Sequence, residues 1–264
     1  MQYLGQHFLK NTSAGMQIIN ALRLEEGETV IEIGPGTGAL TWPLLKQCAR
    51  LNCRYIGIEK DKELADQLAA EMPGRGFGKI ATIISGDALL ELPAIIHNSL
   101  FIIPNRYAIV GNIPYYITGA LLRVMSELEN KPAVAVLMVQ KEVAERICAQ
   151  PPQMNLLAAA TQVWAQPKLL LTLKPSDFEP APAVHSAVIQ LTTHSKQLTT
   201  GESKHYYAAL HRIFKQPRKM LINNLLDPLT RPEAEKIMAE LDIPLTCRPQ
   251  DLSIGKLLKL GGRL

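Results

Sequence analysis

A β-branched run, Thr29-Val30-Ile31-Glu32-Ile33, stops in the glycine-rich turn Gly34-Pro35-Gly36-Thr37-Gly38, and a helical pattern follows from Ala39 to about Ala49. A strand feeding such a turn and then a helix opens a nucleotide-binding α/β unit. The glycines let the backbone approach a ligand, and the helix N-terminus supplies free N–H groups. The order recurs: strands are expected at Tyr55–Glu59, Ala81–Ser85, Tyr107–Val110, Ala133–Val139, Lys168–Leu173 and Ala187–Leu191. Helices are expected at Ser13–Leu22, Lys62–Glu71, Thr118–Glu127, Gln140–Arg146 and Asn155–Trp164. At least five alternations of strand and helix argue for a doubly wound, mostly parallel sheet, because each parallel crossover lays a helix on a sheet face. Beyond Leu191 the pattern changes. Residues 192–203 are polar and read as a linker, and the rest reads as helices at His205–Lys215, Arg218–Leu226, Pro232–Glu240 and Leu252–Leu260. The expected organisation is an α/β domain over 1–195 and a small all-helical domain over 200–264.

The glycine turn admits two spacings. Gly34, Gly36 and Ala39 satisfy a loose G-x-G-x-x-A dinucleotide pattern, whereas Glu32 with Gly34, Gly36 and Gly38 gives the E-x-G-x-G-x-G of S-adenosylmethionine (AdoMet) enzymes. Glu59, at the end of the next strand, is placed to accept both hydroxyls of a ribose and serves either cofactor. Asp87, after the third strand, is placed to accept from an adenine amino group; each acid can alternatively cap a helix. The fourth strand ends in Gly111 and then Asn112-Ile113-Pro114-Tyr115. An Asn oxygen and a neighbouring backbone carbonyl can accept both N–H bonds of an exocyclic amine. Pro114 fixes its own φ and restricts Ile113, while Tyr115 offers a flat face to a base. Phe178, heading a Pro-rich loop, either faces Tyr115 across a flipped base or plugs the space under the loop. Phe8, in the segment Gly5–Leu9, either folds over a ligand with its neighbours or anchors the terminus in the core.

With 47% hydrophobic and 20% charged residues, the 264-residue chain has a globular composition. It contains no apolar stretch long enough for a bilayer and, within Met1–Lys10, no signal-peptide core. Cys48, Cys53, Cys148 and Cys247 lack C-x-x-C spacing, so free thiols in a reducing cytoplasm are expected, with no zinc site. The net charge of +4 does not announce a nucleic-acid binder, but from Lys204 to Lys219 there are five basic residues, two histidines and no acid. That run is a local positive patch or a solvated helix face.

These residues together resemble the ribosomal RNA adenine N6-dimethyltransferases of the small-subunit (KsgA) type, over nearly the whole length. The match runs through Gly5–Leu9, Glu32–Gly38, Glu59, Gly86–Leu89, Asn112–Tyr115, Val139–Arg146, Phe178–Val188 and Phe214–Leu225. The chain departs from the family pattern at Pro217-Arg218 and in the loop Ala149–Met154. The resemblance implies a Rossmann-like AdoMet-dependent methyltransferase with a helical RNA-contacting domain. By it, Gln6, His7, Leu9, Gly34, Gly36, Glu59, Asp87 and Asn112 surround the cofactor, His7 and Leu9 at its methionine end. Asn112 and Pro114 present the target amine, Tyr115 and Phe178 stack the target base, and Lys204, Arg212, Lys215, Arg218 and Lys219 meet RNA. The implied substrate is a pair of adjacent adenines near the 3′ end of small-subunit rRNA, in an assembling particle. No metal and no membrane are implied, and the protein is expected to be a cytoplasmic monomer. A large-subunit adenine methyltransferase of the macrolide-resistance type would share nearly every pocket residue; the Phe214–Leu225 stretch favours the small-subunit type. A non-catalytic assembly or transcription factor would not need Asn112–Tyr115. A DNA adenine methyltransferase would need a DNA-reading domain, and an NAD oxidoreductase an acid/base constellation, neither of which is visible.

Overall fold

A strand-and-helix alternation that buries apolar residues on both faces of a sheet leaves one solution, and the computed structural model, which describes residues 7–97, 103 and 106–264, adopts it. The elements begin with β1 (Phe8–Leu9), α1 (Thr12–Ala21), β2 (Thr29–Ile33), α2 (Thr41–Arg50), β3 (Arg54–Glu59), α3 (Lys62–Gly74), β4 (Ala81–Ser85) and α4 (Ala88–His97). There follow β5 (Tyr107–Asn112), α5 (Thr118–Glu127), β6 (Val134–Gln140), α6 (Lys141–Ile147), α7 (Leu156–Gln162), β7 (Ala165–Leu173), β8 (Phe178–Glu179) and β9 (Ser186–Thr193). The chain ends in α8 (Thr200–Ile213), α9 (Leu221–Leu225), α10 (Arg231–Glu240) and α11 (Ile254–Gly261).

The chain divides into two compact units, one of Met1–Ala144 with Lys168–Thr193, the other of Glu145–Pro167 with His194–Leu264. The stretch 145–167 thus goes with the C-terminal helices, whereas a boundary drawn in chain order at 195–200 leaves it with the sheet. The sheet has the order β4-β3-β2-β5-β6-β9-β7. β2 pairs in parallel with both β3 and β5, and β6 pairs antiparallel with β9. Every residue of β2 and nearly every residue of β5 and β6 is buried. Such strands bury about 1.5–3 kcal/mol per large aliphatic side chain. Connections run outward from β2 to β3 and β4 on one side, and to β5 and β6 on the other. The sheet therefore has its topological switch point between β2 and β5, where α/β proteins bind ligands at the strands' carboxyl ends.

Side-chain caps set the helix starts. Asn11 accepts from the Ala14 N–H, and Asp61 accepts from the Glu63 and Leu64 N–H groups. Helix α4 is not among the helices expected from the sequence. Its Ala-Leu-Leu-Glu-Leu-Pro-Ala-Ile-Ile-His is apolar all round and carries Pro93 inside it, which hides the period. The fold departs from the sequence expectation at two more places. β1 and β8 form a two-stranded antiparallel sheet that joins the N-terminal segment to the Pro-rich loop. Helix α8 begins inside the stretch read as linker, because Thr199 and Glu202 form a reciprocal capping box.

Within the second unit the tyrosines of α8 reach α7, Tyr206 Oη donating to the Ala159 carbonyl (3.2 Å) and Tyr207 Oη to the Ala160 carbonyl (3.1 Å). Among the described residues no helix is long and apolar enough to cross a membrane, and no three His, Cys, Asp or Glu are grouped to hold a metal.

Candidate active site

The parallel register brings four strand ends to one edge: Ile33 lies beside Ile58 and Gly111, and Glu59 beside Ser85. A cleft opens there. Its lining takes His7 and Phe8 from the N-terminal segment, Ile33, Gly34 and Gly36 from the first turn, and Ile58, Glu59 and Lys60 from the end of β3. Gly86, Asp87 and Ala88 come from the turn after β4, and Asn112 to Ile117 from the end of β5.

The first turn shows why glycine is needed. Gly36 has φ +58°, and a Cβ there would lie 2.8 Å from Phe8 Cε1. Its N–H donates to Glu59 Oε2 (2.9 Å), while Glu59 Oε1 accepts the Asp61 N–H (2.9 Å). Glu59 is buried, yet each oxygen keeps a lone pair for a ribose hydroxyl. Asp87 Oδ1 accepts the Leu89 N–H (3.0 Å), so Asp87 also caps α4; its Oδ2 pairs with Lys60 Nζ at 2.9 Å. The Lys60 ammonium holds the Asp87 carboxyl below its usual range. No sequence signal marked Lys60.

Glu32, the acid of the glycine motif, does not line the cleft. It is buried beneath the turn, with Oε2 accepting from Thr41 Oγ1 (2.8 Å) and Tyr55 Oη (2.7 Å). Burial, partly offset by those two hydrogen bonds, raises its pKa from 4.5 to about 7. The folded protein therefore keeps a proton that unfolded glutamate releases near 4.5. The penalty is absent below that pH, grows as pH rises towards 7 and stays constant above it. At about 1.4 kcal/mol per pKa unit it reaches about 3 kcal/mol at most. Glu32→Gln, which keeps an acceptor oxygen and removes the charge, is expected to melt higher than wild type at pH 8, with the advantage shrinking towards pH 5. Melting curves at the two values check this.

Asn112 ends β5, and its Nδ2 donates to the His7 carbonyl at 2.7 Å. With the NH2 engaged, Oδ1 is the acceptor left over. Pro114 has φ −55° and ψ 132°, which starts a three-residue 3-10 turn, Tyr115–Ile117. Tyr115 Oη and Ser186 Oγ are 2.7 Å apart, and the His7 ring lies near-parallel to the Tyr115 ring, with centroids 6.0 Å apart. His7 Nδ1 is 2.7 Å from the Pro180 carbonyl oxygen.

Two expected site residues lie elsewhere. Leu9 and Phe178 face each other across the β1–β8 pair, and both are buried in the core cluster. Directly opposite residues of an antiparallel pair share a face, and neighbours alternate. Leu9 and Phe178 therefore point inward, and Phe8 takes the place at the cleft and against Gly36. Phe178, 1% exposed, is the plug under the loop and presents no face to the cleft. Gln6 lies outside the described residues. The lining also includes Tyr116, 64% exposed, which the sequence did not single out.

Of the basic residues, Lys204, Lys215, Arg218 and Lys219 are exposed, the last two in the turn before α9. Arg212 is half-buried and donates to the Leu225 carbonyl, so it holds α9 in place.

The cleft fits AdoMet: positive-φ glycines floor it, and a buried carboxylate with open lone pairs lines it beside a strand-end amide. Its class is therefore that of the Rossmann-like AdoMet-dependent methyltransferases. Residues 2–260 match the family model described as ribosomal RNA adenine dimethylase. The chain is 34% identical to ribosomal RNA small subunit methyltransferase A of Koribacter versatilis (strain Ellin345), covering 99% of this chain and 93% of that protein. It is 36% identical to the protein of the same name from Acidobacterium capsulatum, over 97% and 88%. Among solved structures it is similar to a dimethyladenosine transferase from Plasmodium falciparum (TM-score 0.77, 23% identity, 96% of each chain). It is also similar to the 23S rRNA methyltransferase ErmE (TM-score 0.74, 22% identity, 97% and 99%). The chain belongs to the ribosomal RNA adenine dimethylase family.

Proposed function

We propose that this protein dimethylates the N6 amines of two adjacent adenines near the 3′ end of small-subunit rRNA, using AdoMet, within an assembling subunit. It does so as a monomer in the cytoplasm. The small-subunit assignment is supported by the names of the full-length relatives. The amine chemistry rests on one observation, the Nδ2 hydrogen bond from Asn112 to the His7 carbonyl, which leaves Oδ1 as a fixed acceptor at the cleft.

An adenine amine is a poor nucleophile because its lone pair is delocalised into the ring. Asn112 Oδ1 and the Ile113 carbonyl, held by Pro114, accept its two hydrogens and favour a pyramidal nitrogen whose lone pair is less delocalised into the ring. Bound AdoMet supplies an electrophilic methyl group on a sulfonium sulfur. Glu59 holds the ribose end of the cofactor, and Asp87, beside Lys60, holds the adenine end. Most of the rate enhancement comes from placement, since reactants held in attack geometry avoid the entropy cost of meeting. The target base must be unstacked from its RNA, at about a few kcal/mol. Tyr115 offsets part of that by stacking, worth about 1–3 kcal/mol per base. Phe178, packed in the core, contributes through the loop it supports.

The test uses small subunits that lack the modification, radiolabelled AdoMet and mapping of the labelled nucleotides. Two adjacent dimethyladenines in the small-subunit rRNA are expected; label in large-subunit rRNA, or none, refutes the reading. Arg218 and Lys219 are assigned to RNA phosphates. Reversing both charges should weaken small-subunit binding at low salt by about tenfold or more and reduce the slope of log K against log salt by about 1.5. A binding series across salt measures both. An unchanged slope removes these two residues from the RNA surface.

A further inference from the structure

The hydroxyl of Tyr115 does not face the reaction. It is 2.7 Å from Ser186 Oγ, a side chain with 0% exposure at the first position of β9. That position is held by the sheet: Ser186 lies opposite Gln140, and the preceding His185 carbonyl accepts the Lys141 N–H at 2.9 Å. Tyr115, by contrast, starts a three-residue 3-10 turn whose N-terminus no side chain caps; the Thr118 hydroxyl donates to its carbonyl (3.1 Å), which holds the backbone and not the ring, and the residue is half-buried at the cleft. A turn of that length does not fix an aromatic ring, whereas a hydrogen bond at the ring's far end to a rigid strand does.

We propose that Ser186 is a positioning residue: it fixes the plane of the Tyr115 ring, and that plane sets the pose of the target adenine between Asn112 and the cofactor. The inference rests on the amine-methylation reading above. It makes Tyr115 a catalytic contact by its face alone, with its hydroxyl spent on Ser186.

The two hydroxyls then act as one unit, and their losses should not add. Ser186→Ala, Tyr115→Phe, the double variant and Tyr115→Ala are compared with wild type in single-turnover transfer to undermethylated small subunits. S-adenosylhomocysteine affinity and melting midpoint are measured on each. Ser186→Ala and Tyr115→Phe should each slow transfer about three- to tenfold, the range expected for one neutral hydrogen bond. The double variant should be no slower than either. Tyr115→Ala should lose about a hundredfold, while cofactor affinity and midpoint of the Ser186→Ala protein stay at wild-type values. Additive losses, an unaffected Ser186→Ala, a Tyr115→Phe loss far exceeding that of Ser186→Ala, or a Ser186→Ala loss matched by a lower midpoint each overturn the inference. An inert wild type overturns the functional reading and this inference with it; an active wild type with additive losses overturns the inference alone.

Discussion

Asn112→Ala is expected to slow methyl transfer about a hundred- to a thousandfold, the cost of removing one preorganised polar group from a reacting centre, and to leave cofactor affinity within about threefold of wild type. The separation follows from what the side chain touches. Its Nδ2 is satisfied by the His7 carbonyl, and its Oδ1 is the free acceptor, so the substitution removes a contact to the amine without emptying the cofactor's own cradle at Gly34, Gly36 and Glu59. The orphaned His7 carbonyl lies in a half-exposed segment where water can take the lost donor's place. Asn112→Asp makes a sharper probe. It keeps acceptors for the amine but sets a carboxylate against the His7 carbonyl, so transfer should fall between wild type and alanine. Single-turnover kinetics with calorimetric titration of S-adenosylhomocysteine distinguishes the cases. An alanine variant that turns over like wild type removes Asn112 from the chemistry.

Gly36→Ala should have the opposite signature, losing cofactor affinity by about ten- to a hundredfold. A left-handed backbone costs an L-residue about 1–2 kcal/mol. At φ +58° the new methyl would also press on Phe8 Cε1 at 2.8 Å. The pairing of β1 with β8 holds the Phe8 backbone, so its ring can make room only by rotating about its side-chain bonds. What the ring does not yield the turn must, and with it the Gly36 N–H that Glu59 accepts. Adding Phe8→Ala removes the steric part and leaves the backbone part, so the double variant should regain some affinity over Gly36→Ala. Cofactor titration of the three proteins checks this, and full affinity in Gly36→Ala would show that the turn does not cradle the ligand.

Local patterns carried most of the architecture. Thr29–Gly38 announced its strand, turn and ligand edge, and Asn112–Tyr115 stood at a strand end in both sequence and structure. The failures have physical reasons. Pro93 breaks the helical signature of α4, and the chain forms the helix regardless because Ala88, Leu92 and Ile95 are buried. The β1–β8 pairing joins two-residue strands far apart in sequence, and nothing local to either announces it. Without it, the inward direction of Leu9 and Phe178 and the outward direction of Phe8 cannot be read. Lys60 matters only because Asp87 sits beside it in space. The early start of α8 is legible in Thr199-x-x-Glu202, a capping box whose polar surroundings hide the helical period. Arg212 belonged to a basic run, and only the fold shows it engaged with the end of α9.

The most direct test of the central claim is a crystal structure of the protein with S-adenosylhomocysteine and an adenine-containing oligonucleotide from the methylated loop. The target N6 is expected about 3 Å from both Asn112 Oδ1 and the Ile113 carbonyl oxygen, with the purine ring lying on Tyr115. An adenine bound with its amine pointing away from Asn112, or excluded from the cleft altogether, contradicts it.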